Sequence, residues 1–98
     1  MKQRNLPSDN PEQFYKESER NKKLLLSWIK ENLVPGGNKS RGSYELKEIY
    51  SYATGIYIPN GTMKEALKIS GFKPKDETSN NWSFKVQKDS PGITKFYK

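Results

Sequence analysis

An α+β fold, with helices first and a small β-hairpin last, is what this 98-residue sequence predicts. Apolar residues recur at spacings of three and four in separate stretches up to residue 70, the period of one helical face. Beyond them Trp82, Phe84 and Val86 alternate with Ser83, Lys85 and Gln87, the period of a strand with one buried side. Glycine and proline punctuate the intervals between these stretches.

Residues 1–10 read as a flexible lead-in, closed by Asn10 before Pro11 in the cap-then-proline pattern of a helix start. One helix is then expected from Pro11 to about Leu33, with Leu25, Trp28, Ile29 and Leu33 forming its apolar stripe. "VPGGNKSRGS" at 34–43 predicts a flexible basic loop, because proline, glycines and serines oppose regular structure. Ser43 is positioned to cap a second helix whose Leu46, Ile49, Tyr50 and Ala53 share a face, and Gly55 stops it. The β-branched and aromatic "IYI" at 56–58 predicts a brief strand ended by Pro59.

In "IPNGTMKEALKISGFK", residues 58–73, Asn60-Gly61 reads as a turn and Thr62 with Glu65 as a capping box. The short helix that follows turns Met63, Ala66, Leu67 and Ser70 inward, and Gly71 with Phe72 ends it. "FKPK" and "WSFKVQ" then flank the polar turn "DETSNN" as a two-stranded hairpin, with Pro74 marking the first strand as an edge. In the tail, residues 89–98, Ile93, Phe96 and Tyr97 leave three options: docking on the core, pairing with another chain, or staying loose. Three helices and a hairpin make residues 11–88 a single winged helix-turn-helix domain with an N-terminal helical extension. Its expected core is Leu25, Trp28, Ile29, Leu46, Ile49, Tyr50, Ile58, Met63, Leu67, Phe72, Trp82 and Phe84.

The composition narrows function. The chain has neither cysteine nor histidine, which removes disulfides, thiolate chemistry and the commonest general base and metal ligand. Glu45 with Glu48, and Asp76 with Glu77, lie close in sequence but have no further acid or histidine beside them, so they read as solvated carboxylates. No nucleotide-binding glycine loop with its lysine is present. A non-enzymatic protein without a cofactor is expected. The mean hydropathy of -1.03 and a longest apolar run of "LLL" predict no membrane span, and the expected location is the cytoplasm. Net charge is +7 and uneven: residues 1–34 carry seven basic and five acidic groups, residues 35–98 eleven and six. Such a surface draws polyanions, nucleic acid first.

"WIKEN" at 28–32, "SYELK" at 43–47, "TGIY" at 54–57, "NGTMKEA" at 60–66, "GF" at 71–72 and "NWSF" at 81–84 carry a resemblance. Over residues 27–86 the chain resembles small winged-helix proteins of phages and integrative mobile elements of Gram-positive bacteria. More distantly it is similar to the winged-helix module at the C-terminus of phage and poxvirus-type primase-helicases. The resemblance implies no catalytic residues, and DNA contact or protein docking during replication of a mobile element.

In a winged helix the third helix commonly enters the major groove while the wing touches the backbone. Thr62, Lys64 and Lys68 are therefore candidate DNA contacts, with the two lysines one turn apart on an outward face. The wing adds Lys73, Lys75, Asn80, Asn81 and Lys85, and the loop adds Lys39 and Arg41. The helix has no arginine to read guanine, so backbone, shape-based or single-stranded binding is expected. Tyr44, Tyr52 and Tyr57 would add stacking for single strands if exposed, although part-buried packing is the ordinary fate of such residues. The competing reading is a protein-interaction module that inhibits or recruits a host nuclease or replication factor, since fold does not choose between these. Monomer and homodimer are both compatible with the sequence.

Overall fold

A computed structural model describes residues 7–98, and among them five α-helices and a two-stranded antiparallel sheet form an α+β fold. A 3₁₀ turn, Pro7–Asp9, leads into α1, Gln13–Lys16, and then α2, Glu19–Asn32. β1, Pro35–Gly42, follows, then α3, Ser43–Thr54, and α4, Asn60–Ile69. β2, Ser83–Val86, and α5, Pro91–Phe96, complete the chain. Residues 1–6 of the expected lead-in lie outside the described residues.

The single helix expected over 11–33 is broken. Glu17 and Ser18 take extended backbone angles, and Ser18 starts α2 afresh by accepting a hydrogen bond from the Asn21 amide at 3.1 Å. A cap of this kind contributes about 1 kcal/mol. The break redirects α1 so that Phe14 is buried, which the polar composition around it concealed.

The expected basic loop is a strand. Ser40, Arg41 and Gly42 pair with Lys85, Phe84 and Ser83, and Pro35 pairs with Val86 across a register irregularity. Gly36 and Gly37 sit at φ 107° and 83°, so the residues that argue against regular structure supply the bulge that lets the strand resume. "FKPK" does not supply the partner of β2. One backbone bond, from the Lys75 amide to the Ser83 carbonyl at 2.8 Å, ties that segment to β2, and Pro74 has no N–H to extend a ladder. "IYI" likewise forms no strand, because no second strand lies alongside it, although Ile58 is buried as expected.

α4 is the centre of the molecule. The Pro7–Asp9 turn, α1, α2 and α3 all pack on it. Its helical span already begins at Asn60, so Asn60-Gly61 is not a separate turn, and Pro59 is its cap position without a side-chain bond. Thr62 and Glu65 form no capping box: the fully buried Thr62 hydroxyl donates to Glu17, and Glu65 accepts from the Tyr15 hydroxyl at 2.6 Å. The C-terminal end of α4 follows the expected pattern. The Phe72 amide bonds Leu67 O at 3.0 Å and the Gly71 amide bonds Lys68 O at 3.1 Å, with Gly71 at φ 97° and Phe72 buried.

Eleven of the twelve expected core residues are buried; Trp28 is half-buried against them. Phe14, Leu33, Ala66, Val86 and Ile93 complete the core. Of the options for the tail, docking is the one taken. α5 packs on α2 and α3, Ile93 is buried, and the Ser90 hydroxyl receives the Val34 amide at 2.9 Å. None of the helices among the described residues is long and apolar enough to cross a membrane.

Candidate nucleic-acid interface

The ten candidate contacts separate into buried, partnered and open groups. Thr62 is inaccessible, as above. Lys64 is 2% exposed, and its ammonium donates to the Asp9 carbonyl at 2.8 Å and lies 5.1 Å from the centre of the Trp82 ring. Burial pushes its pKa down, and the nearby negative charge of Asp9 opposes that shift. Lys64 is thus not the outward cation that its spacing predicts. It clamps the segment before α1 to α4.

Lys68 does share a face with Lys64, but that face covers Trp82: its ammonium is 5.8 Å from the same ring and 3.2 Å from Glu77. The Trp82 indole N–H donates to Glu77 O at 3.1 Å, so ring, carboxylate and both lysines form one packed unit. α4 therefore exposes Lys68 and Ile69 but not Thr62 or Lys64, and the pair of lysines expected on one outward face is not formed.

Arg41 is half-buried, ion-paired to Glu45 and 5.1 Å over the Tyr97 ring. The Tyr97 hydroxyl also donates to Glu45, which holds its pKa above the ordinary phenol value. This trio fastens α5 to the start of α3. Asn81 is exposed, but its side-chain oxygen accepts from the Ser43 hydroxyl at 3.0 Å and the Tyr44 amide at 2.9 Å. It performs the capping that the sequence assigns to Ser43, which is itself the first helical residue. Asn80 is half-buried, and its backbone carbonyl accepts from the Asn60 side-chain Nδ2 at 3.1 Å.

Lys39, Lys73, Lys75 and Lys85 remain exposed, and among the described residues none of the four makes an ion pair. Lys39 and Lys85 stand on the paired strands, and the Lys75–Ser83 backbone bond brings the segment with Lys73 and Lys75 to β2. Four open cations therefore lie on or next to the paired strands, and their ammonium groups can meet phosphates without first breaking an ion pair.

A second feature was missed in the candidate set. A groove of about 510 Å³ is lined by Asp9, Tyr44, Lys47, Tyr57, Asn60 and Asn81 among others. Lys47 is 3% exposed, and its ammonium lies 4.8 Å from the Tyr44 ring centre, 4.6 Å from that of Tyr57 and 3.1 Å from Glu48. The rings themselves are open, at 53% and 69% exposure, so the part-buried packing ordinarily expected of such tyrosines does not apply here. Asn60 joins the groove to the N-terminal segment by donating to the Asp9 carboxylate at 3.0 Å. "SYELK", "TGIY", "NGTMKEA" and "NWSF" each contribute a wall residue. That convergence is the signal available in the sequence, although the positions read separately as caps and helix faces. No family model, curated protein or solved structure matches the chain.

Proposed function

We propose that this chain is a non-enzymatic nucleic-acid-binding module of the winged helix-turn-helix type, holding DNA by its phosphates from the sheet side. The observation that carries the reading is the set of four exposed, unpaired lysines, Lys39, Lys73, Lys75 and Lys85, on or beside β1 and β2. The +7 charge supplies the longer-range attraction. Support for the fold type comes from α3 and α4 as consecutive helices flanked by the antiparallel strands. With Thr62 and Lys64 of α4 buried and Lys68 paired with Glu77, contact by open cations falls to the strands and the loop before β2, which suits backbone gripping without base reading. Together with the family resemblance, this makes a replication accessory or regulator of a mobile element the role that fits best.

The test is a duplex DNA titration across salt. Four phosphate contacts give a slope of log affinity against log salt near about -3.6. Lys73→Glu with Lys85→Glu should flatten the slope by about 2 and weaken binding while the melting curve stays in place. An unchanged slope would sink the placement. Failure to retain any DNA at low salt would favour the alternative, a module that docks on a host nuclease or replication factor.

A further inference from the structure

Backbone gripping from the sheet leaves the Lys47 groove without a role. Its composition is unusual for a merely structural feature. Two tyrosine rings that are open to solvent each lie close to one nearly buried ammonium, at 4.8 and 4.6 Å, and among the described residues neither ring's hydroxyl has a hydrogen-bond partner. Packing does not require that exposure. Asn60, 4% exposed and also lining the groove, keeps its side-chain oxygen buried and without a donor among the described residues. A buried acceptor in that state costs stability unless something supplies an N–H.

The geometry points to a base-stacking subsite for a single nucleic-acid strand. Bases lie on the open faces of Tyr44 and Tyr57, and the phosphate between them meets Lys47. A cation close to two rings complements a phosphate that links two bases. Stacking is tolerant of sequence because every base has a π face, whereas a duplex keeps its bases stacked on one another and offers none to the rings. The volume of about 510 Å³ lies within the range that accommodates a ligand of nucleotide size. Glu48, the ion-pair partner of Lys47, has a half-exposed side chain and can yield its place to a phosphate. Among the described residues the Asp9 carboxylate is the one negative group lining the groove, and it is occupied by the Asn60 side-chain Nδ2. This inference rests on the nucleic-acid reading above and adds a strand preference to it.

The experiment compares fluorescein-labelled oligodeoxythymidylate with a duplex of equal length by anisotropy at one salt concentration. The proteins are the full chain, Tyr44→Ala, Tyr57→Ala, the double variant, and the Tyr44→Phe/Tyr57→Phe control, which keeps both rings. Each alanine variant should lose about tenfold in single-strand affinity with duplex affinity unchanged, and the phenylalanine control should bind like the parent. Tyr57 precedes α4 in an irregular segment, so Tyr57→Ala serves if Tyr44→Ala, at the start of α3, fails to fold. Single-strand affinity that ignores ring removal overturns the subsite while duplex binding keeps the backbone reading intact. Equal losses for both probes overturn it as well. A parent chain that binds neither probe at low salt removes both readings together.

Discussion

The side-chain oxygen of Asn81 bonds the Tyr44 backbone amide at 2.9 Å, so the first turn of α3 is closed by a residue 37 positions away. The same oxygen receives the Ser43 hydroxyl, and the Ser43 amide donates to Trp82 O at 2.6 Å. A helix start, the loop before β2 and one wall of the groove therefore form a single unit.

Asn81→Ala should cost about 1–2 kcal/mol, the range of a lost helix cap, while Asn81→Asp keeps the acceptor and most of the stability. Urea denaturation reads this directly. A midpoint for the alanine variant equal to that of the parent would mean that the distant cap contributes nothing.

Gly61 lies against the backbone of Asn10, where an added Cβ would overlap the Asn10 carbonyl. Because the obstacle is main chain, a small rotamer change cannot relieve it. Gly61→Ala should destabilise by about 1–3 kcal/mol and expose residues 7–18 to limited proteolysis ahead of the rest. If cleavage and melting match the parent, the segment is not seated there.

Lys64 and Lys68 should respond unequally to charge reversal. Lys64→Glu places a carboxylate against the Asp9 carbonyl in a nearly closed site and should cost about 3 kcal/mol or more. Lys68→Glu, exposed beside Glu77, should cost less than about 1 kcal/mol. Thermal melts of the two variants decide the matter, and equal losses would contradict the burial of Lys64.

Alkaline pH should weaken the fold through Tyr15 and Tyr97. Hydrogen bonds to Glu65 and Glu45 raise these phenols above their ordinary 10.0 in the folded state. Each contribution is fully present below the unfolded value and is lost as pH rises through the folded one, so stability declines above about pH 10. Lys64, lowered from 10.5 by burial, has the opposite sign and gains as pH rises through its folded value. Tyr15→Phe with Tyr97→Phe should therefore show a shallower decline in denaturant midpoint between about pH 9 and 11 than the parent. Parallel curves would remove the tyrosines as the cause.

Local chemistry made much of this protein legible. Apolar spacing located α2, α3, α4 and β2, and identified nearly all of the core, because burial is written in side-chain period. The Gly71-Phe72 stop was equally readable, since a left-handed residue followed by an apolar one closes a helix through bonds within seven residues. What the sequence by itself determined was therefore the α+β class, the main elements and the basic balance.

Only the tertiary structure decided which polar residues face water. β1 is a strand because β2 lies beside it, and its glycines supply a bulge that local propensity reads as a loop. Lys64 and Thr62 lose their surface because residues 7–17 fold back over α4, a contact across some fifty positions that no local pattern encodes. Lys47, Tyr44 and Tyr57 form a groove because α3, the segment before α4 and the loop before β2 converge there. Periodicity sorts residues by face, but the choice of which face is covered depends on long-range packing, and that choice decided which of the candidate residues are exposed.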